Sequence, residues 1–199
     1  MNTARILALS LALTAPQMVA AQAADPAAGT VQALQSGLLS IMRAGASAGM
    51  SGRARTIAPV VDRTFDIPLM TRLAVGPSWT GIAPKDQTSL VAAFRALTVA
   101  QYAKNFDGYA GERFVVTPQV ETRGGDKLVR TALVQTGGGT EALNYRLRLS
   151  GSEWKIIDVY YRNSISQLAT RRADFARVLQ TGGAPALIVH LNQLAAKPN

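Results

Sequence analysis

From residue 114 onward the spacing of apolar residues changes from helical to alternating, and this restricts the fold more than any other feature. Residues 114–121, 127–136, 141–149 and 154–161 each read as a strand. The third alternates most cleanly, with Leu143, Tyr145, Leu147 and Leu149 on one face and Asn144, Arg146 and Arg148 on the other. Gly124-Gly125-Asp126, Gly137-Gly138-Gly139 and Gly151-Ser152 provide three short turns, so consecutive strands should form an antiparallel meander. Pro118 withholds a ladder donor and points to an edge or a bulge in the first strand.

Helical spacing flanks this block on both sides. Asp25-Pro26 is a capped helix start, followed by Val31, Leu34, Leu38, Leu39 and Met42. A glycine-rich break over 45–52 precedes a second helix over 53–65, carrying Ile57, Val60, Val61 and Phe65. Asp66-Ile67-Pro68 opens a third that stops at Gly76-Pro77. Pro84 opens a fourth with the stripe Leu90, Val91, Phe94, Leu97, Thr98 and Tyr102, ending at Asp107-Gly108. In the tail, Ser164 or Ser166 caps a helix with Ile165, Leu168, Phe175 and Leu179 inward. Gly182-Gly183 ends it and Pro185 begins a last one with Leu187, Ile188, Leu191 and Leu194. The expected architecture is α+β, with helices covering one face of a curved antiparallel sheet. Cystatin-like and NTF2-like folds share this plan, and it encloses a cavity when the facing residues do not fill the space. Fold alone assigns no activity.

The N-terminus reads as a secretory leader over 1–23. Arg5 is the basic region, residues 6–13 the apolar run, Pro16 a breaker and Ala21-Gln22-Ala23 the small-x-small cleavage pattern. The apolar run falls short of the about 20 residues that span a bilayer. A single mature domain is expected over 24–199, and loss of Arg5 takes the net charge from +9 to +8. A secreted chain with no cysteine fits a Gram-negative periplasm better than a eukaryotic exterior. The missing cysteine removes disulfides, thiolate zinc sites and Cys nucleophiles, and one histidine builds no multi-His metal centre. No metal or cofactor is expected. A charged fraction of 17%, against roughly 25% in ordinary domains, argues against nucleic acid as partner and leaves lipid headgroups or membranes to match the basic excess.

Four stretches carry a family resemblance. They are the run from Phe65 through Asp66-Ile67-Pro68-Leu69-Met70-Thr71-Arg72-Leu73 to Trp79, Phe94-Arg95-Ala96-Leu97-Thr98-Val99-Ala100-Gln101-Tyr102-Ala103 with Phe106-Asp107-Gly108-Tyr109, Trp154-Lys155-Ile156-Ile157-Asp158-Val159, and the helix from Ser164 to Phe175. In this order they resemble the MlaC, or toluene-tolerance auxiliary, family of periplasmic lipid-transfer proteins. The Asp158 to Phe175 wording and the Gly182-Gly183-Ala184-Pro185 tail are most similar to the hopanoid-associated HpnM branch. Arg162-Asn163 and Thr170-Arg171 stand where the phospholipid-shuttle branch usually carries Glu-Gly and a Tyr-Arg pair. The resemblance implies a lipid-binding shuttle for phospholipid or hopanoid-type lipid. The partners it implies are an MCE-type inner-membrane ABC transporter and an outer-membrane lipoprotein/porin assembly.

An acyl chain carried through water needs a concave apolar lining. The expected lipid-binding residues are Phe65, Leu69, Leu73, Trp79, Phe94, Leu97 and Tyr102 on helices, with Leu143, Tyr145, Leu147, Val159 and Tyr161 on strands. Ordinary core packing is the competing reading of each. Arg171, Arg172 and Arg177 could meet a headgroup phosphate, but Asp174 at a three-residue spacing favours an ion-paired helix face. Arg146 and Arg148 project from the polar sheet face toward partner or solvent. The enzyme alternative is a small isomerase or dehydratase using Asp158 with Tyr145 or Tyr161; a backbone-bonded carboxylate is the plainer expectation. A non-cargo adaptor is the third reading. His190 has no partner at metal or triad spacing and is expected to be surface-lying or half-buried. No catalytic residue is assigned.

Overall fold

The computed structural model describes residues 25–197. The expected leader lies outside them.

Helix α1 (Pro26–Ala44) begins as the sequence indicates. The Asp25 carboxylate accepts from the Ala27 amide at 2.9 Å, and Lys127 reaches its second oxygen at 2.6 Å, tying the cap to the sheet. After a 3-10 turn over Ala46–Ala48, α2 spans Gly49–Thr64, starting four residues before the expected 53. The expected break is therefore short, because Gly45 (φ 56°) and Gly49 (φ 59°) concentrate the reversal at two residues. Buried Arg53 secures this corner by donating to the Gly45 and Ala103 carbonyls at 2.8 and 2.7 Å. Helix α3 (Ile67–Val75) is capped by Asp66, whose carboxylate accepts from Leu69 N at 3.0 Å. A 3-10 turn (Gly76–Gly81) leads to α4 (Pro84–Asn105).

The meander follows as β1 (Arg113–Arg123), β2 (Asp126–Val134), β3 (Thr140–Ser150) and β4 (Glu153–Tyr161). A two-residue β5 (Ile165–Ser166) completes an antiparallel sheet of order β1-β2-β3-β4-β5. The register of β1 slips between Val116 and Val120, the position Pro118 marks. A second slip, between Arg146 and Leu147 where β3 meets β4, has no proline or glycine to announce it.

The last helix, α5 (Gln167–Ala196), is two helices joined at Gly183, whose φ of 65° and ψ of −162° break the spiral where Gly182-Gly183 predicts. Ser166 is the cap, accepting from Ala169 N at 2.9 Å. Ile165, expected inward on this helix, is instead a β5 residue and 47% exposed, because the cap falls one residue after it.

The helices cover one face of the curved sheet, giving the expected α+β arrangement. The buried core joins α1 (Val31, Leu34, Leu38), α2 (Ile57, Val61), α4 (Leu90, Leu97) and the sheet (Val129, Leu147, Ile156). The α2–α3 junction closes directly on β4: Phe65 bridges Ile156, and the Asp66 amide donates to the Ile156 carbonyl at 3.0 Å. That closure fills the end of the sheet nearest Leu147 and leaves the other end open.

Candidate functional site

A cavity of about 900 Å³ lies between the concave sheet face, α4 and the start of α5, with the 106–112 loop at its mouth. Its sheet wall consists of Leu133 from β2, Leu143 and Tyr145 from β3, and Val159 and Tyr161 from β4. On α4 the lining residues are Phe94, Thr98, Gln101, Tyr102 and Asn105, which recur at helical spacing and form one stripe. Met42, Phe65 and Met70 close the inner side, while Leu168 and Arg171 come from α5. Exposed Asp107, Gly108, Tyr109 and Ala110 border the opening.

Aromatic rings form much of the apolar wall. Phe65 lies 5.7 Å from Tyr102, Tyr102 stacks on Phe106 at 5.8 Å, and Phe106 stands 6.4 Å from Phe114. Burial pushes the Tyr145 phenol upward; for Tyr102 burial does so first and the neighbouring Tyr145 adds to it. Both are neutral hydroxyls near pH 7, suited to packing rather than to proton exchange.

Of the twelve lining candidates from the sequence, the structure brings seven to this cavity: Phe65, Phe94, Tyr102, Leu143, Tyr145, Val159 and Tyr161. The other five lie elsewhere. Leu97 and Leu147 are 1% and 0% exposed in the packed core. Leu97 belongs to the stripe of Leu90 and Ala93, adjacent to the lining stripe of α4, and Leu147 lies where the α2–α3 junction has filled the sheet. Leu69 and Trp79 are half-buried against the core and Leu73 is half-buried on α3, which sends Met70 to the cavity. Sequence reasoning missed Met42, Met70, Phe106, Leu133 and Leu168, and the polar Gln101 and Asn105. The signal for the polar pair was available, since both repeat the Phe94 spacing on an apolar stripe.

The charged candidates are also redistributed. Arg177 and His190 share Asp174 at 2.7 and 2.9 Å, so the ion-paired face exists and half-buried His190 has a carboxylate partner. Arg171 is not part of that face. It is half-buried in the cavity wall, donates to Gln101 Oε1, and burial lowers its pKa. On the opposite sheet face Arg146 and Arg148 converge on Asp126, which is 2% exposed. Arg148 donates through Nε and Nη2 at 2.6 and 2.9 Å and Arg146 through Nε at 2.6 Å. The Arg148 hydrogen bonds lead in holding the Asp126 carboxyl below its ordinary range, with burial opposing.

Buried Asp158 is turned away from the cavity lining. Its Oδ1 accepts from the Val159 and Leu168 amides at 2.8 and 3.0 Å, and its Oδ2 from Ser166 Oγ at 2.6 Å. The carboxylate thus ties the end of β4 to the first turn of α5, as a backbone-bonded group does. Among the described residues no cluster of three or more His, Cys, Asp or Glu side chains could hold a metal ion. None of their helices is long and apolar enough to cross a membrane.

A curved meander and covering helices that leave a mostly apolar, one-ended cavity define a protein shaped to enclose an apolar molecule. Residues 32–193 match the family model described as MlaC protein, and the chain belongs to the MlaC family. Its fold is similar to that of the phospholipid-binding protein from Ralstonia solanacearum, solved in complex with a phospholipid. The two are 22% identical, the match covers 87% of this chain and 98% of that one, and the TM-score is 0.73. No curated protein matches the sequence.

Proposed function

We propose that this chain is a periplasmic lipid-binding shuttle that holds the tails of a phospholipid or hopanoid-type lipid in the cavity and performs no catalysis. The observation that carries the reading is the cavity itself: about 900 Å³ of mostly apolar space, open at one end, in a member of the MlaC family. Each methylene held in it is spared about 0.8 kcal/mol of exposure to water, so ten are spared about 8 kcal/mol, which offsets the cost of taking those methylenes out of a membrane. The phospholipid-bound relative from Ralstonia solanacearum has the same fold and supports the same use of the space. The position of Asp158, bonded to two amides and a hydroxyl away from the lining, supports cargo binding over the isomerase or dehydratase alternative.

Handover between an outer-membrane lipoprotein/porin assembly and an MCE-type inner-membrane ABC transporter completes the proposal, on the strength of the family resemblance. The leader expected over 1–23 supports the periplasmic location, and the HpnM-like wording of the tail is the support for a hopanoid branch. Native mass spectrometry of protein purified from its own periplasm tests the reading. A copurifying lipid that is displaced by excess phospholipid is the expected result. A protein that is always empty and takes up no lipid from vesicles would overturn it.

A further inference from the structure

We propose that Arg171 is an anion subsite in the cavity wall, and that the cargo it selects is a zwitterionic glycerophospholipid whose phosphate it binds. This rests on the lipid-carrier reading and names the headgroup that reading leaves open.

Two adjacent arginines at the start of α5 have opposite surroundings. Arg172 is exposed and its guanidinium lies over Gly76, where an added Cβ would stand 3.2 Å from its Nη2. Arg171, a hundred degrees around the helix, enters the cavity wall between Gln101, Gln167 and Leu168. Its hydrogen-bond partner there is Gln101 Oε1, a neutral acceptor. Asp174, one turn further on, hydrogen-bonds Arg177 and His190 and acts on Arg171 only as a nearby charge without contact, opposing in part the effect of burial. Among the described residues no ion pair involves Arg171. A half-buried cation facing a neutral amide is costly to keep, and its planar fork of five donors is largely unspent. A phosphodiester supplies both the missing charge and the two acceptor oxygens that match that fork. Because Arg171 and the aromatic wall border one cavity, a lipid with its phosphate on Arg171 lays its tails against Phe65, Phe94 and Tyr102.

The remaining charges on the wall are acidic. Asp107 and Glu112 lie at the mouth, and Glu141 follows Thr140 at the start of β3. Glu112 is bonded to the Ala110 amide at 2.7 Å, and Glu141 faces Arg162 at 3.4 Å. With Glu141 paired to Arg162, the carboxylates of Asp107 and Glu112 still outnumber the one lining guanidinium, which opposes a headgroup with surplus negative charge and suits one whose phosphate is balanced by an ammonium.

The test uses cargo-free protein and mixed vesicles holding equal amounts of phosphatidylethanolamine and diacylglycerol with the same acyl chains, read by native mass spectrometry. The wild type should load the phospholipid over the diacylglycerol by about tenfold, the value of one charge-assisted contact. Arg171→Gln should bring that ratio near one. Arg171→Lys, which keeps the charge without the fork, should fall between and shift the phosphorus NMR resonance of the bound lipid. Equal loading of both lipids by the wild type, or an unchanged ratio in Arg171→Gln, overturns the subsite and leaves the carrier reading intact. If the wild type loads neither lipid, the carrier reading fails first. Should Arg171→Gln fail to fold, an unmoved phosphorus resonance in Arg171→Lys is the overturning result. Inorganic phosphate alone should not raise the melting temperature; a rise lost in Arg171→Lys would reassign the site to free phosphate.

Discussion

Leu143 and Leu147 lie on the same face of β3, yet the structure assigns them different tasks, and paired substitutions separate these. Leu147 is fully buried between the sheet and the α2–α3 junction, opposite Ile156. Its replacement by Ala leaves a void in packed core and should cost about 3 kcal/mol. For a domain of this size that lowers the melting temperature of lipid-free protein by roughly 6–12 °C. Leu143 already borders the cavity. Leu143→Ala enlarges an existing space and should cost about 1 kcal/mol, because few close contacts are lost. Leu143→Trp should fold with little strain, since its indole has somewhere to go. Occupying the place of about three acyl methylenes, it should weaken lipid loading by about 2.4 kcal/mol, or about fiftyfold. Leu147→Trp has no such space and should unfold or melt far lower. Circular dichroism melts of lipid-free protein and loading of a fluorescent phospholipid give both readouts. The reasoning fails if Leu143→Trp loads lipid as the wild type does, or if both tryptophans destabilise equally.

Asp158→Asn should keep lipid loading, because an amide oxygen still accepts from the Leu168 or Val159 amide. Asp158→Ala should lower stability by about 2 kcal/mol through unsatisfied amides, measured by urea denaturation. For Asp126, the folded carboxyl titrates below the unfolded value of about 3.9, so its stabilisation is complete above that pH and is lost as pH falls through the lower folded value. Asp126→Asn should therefore cost about 1–2 kcal/mol at neutral pH, discounted for the partly exposed arginines, and flatten the acid limb of the stability curve. Gly37→Ala would place a methyl 2.9 Å from both γ-carbons of Val60, where α1 crosses α2. It should lower stability by about 1 kcal/mol despite alanine's better helix propensity, and Gly37→Ala with Val60→Ala should recover part of that loss on thermal melting.

Local signals in the sequence are legible where one residue controls its own backbone. Pro118 marks the slip in β1, Asp25-Pro26 and Asp66 start α1 and α3, and Gly182-Gly183 locates the break in α5. The slip between Arg146 and Leu147 was not legible, because it arises from how β3 meets β4 and not from any residue's own preference. The cavity was half legible for a related reason. Alternation along a strand states which face a side chain takes, and four of the five strand candidates do line the cavity. It does not state how near the opposing helices come.

The change of hydrophobic period at residue 114 therefore determined the architecture by itself: four alternating runs with short glycine turns have few arrangements other than a meander covered by helices. Only the tertiary structure decided where that sandwich is filled and where it is empty, since the α2–α3 junction closes over Leu147 and stops short of Leu143. It also decided the roles of the charges. Arg171 and Arg172 are chemically identical neighbours, and Asp126 reads as a turn residue, but helix orientation and strand register place one arginine in the cavity wall and join Asp126 to Arg146 and Arg148 across two strands. Such long-range neighbours share no local pattern, because the energy that brings them together belongs to the packing of whole elements and not to the segments that carry them.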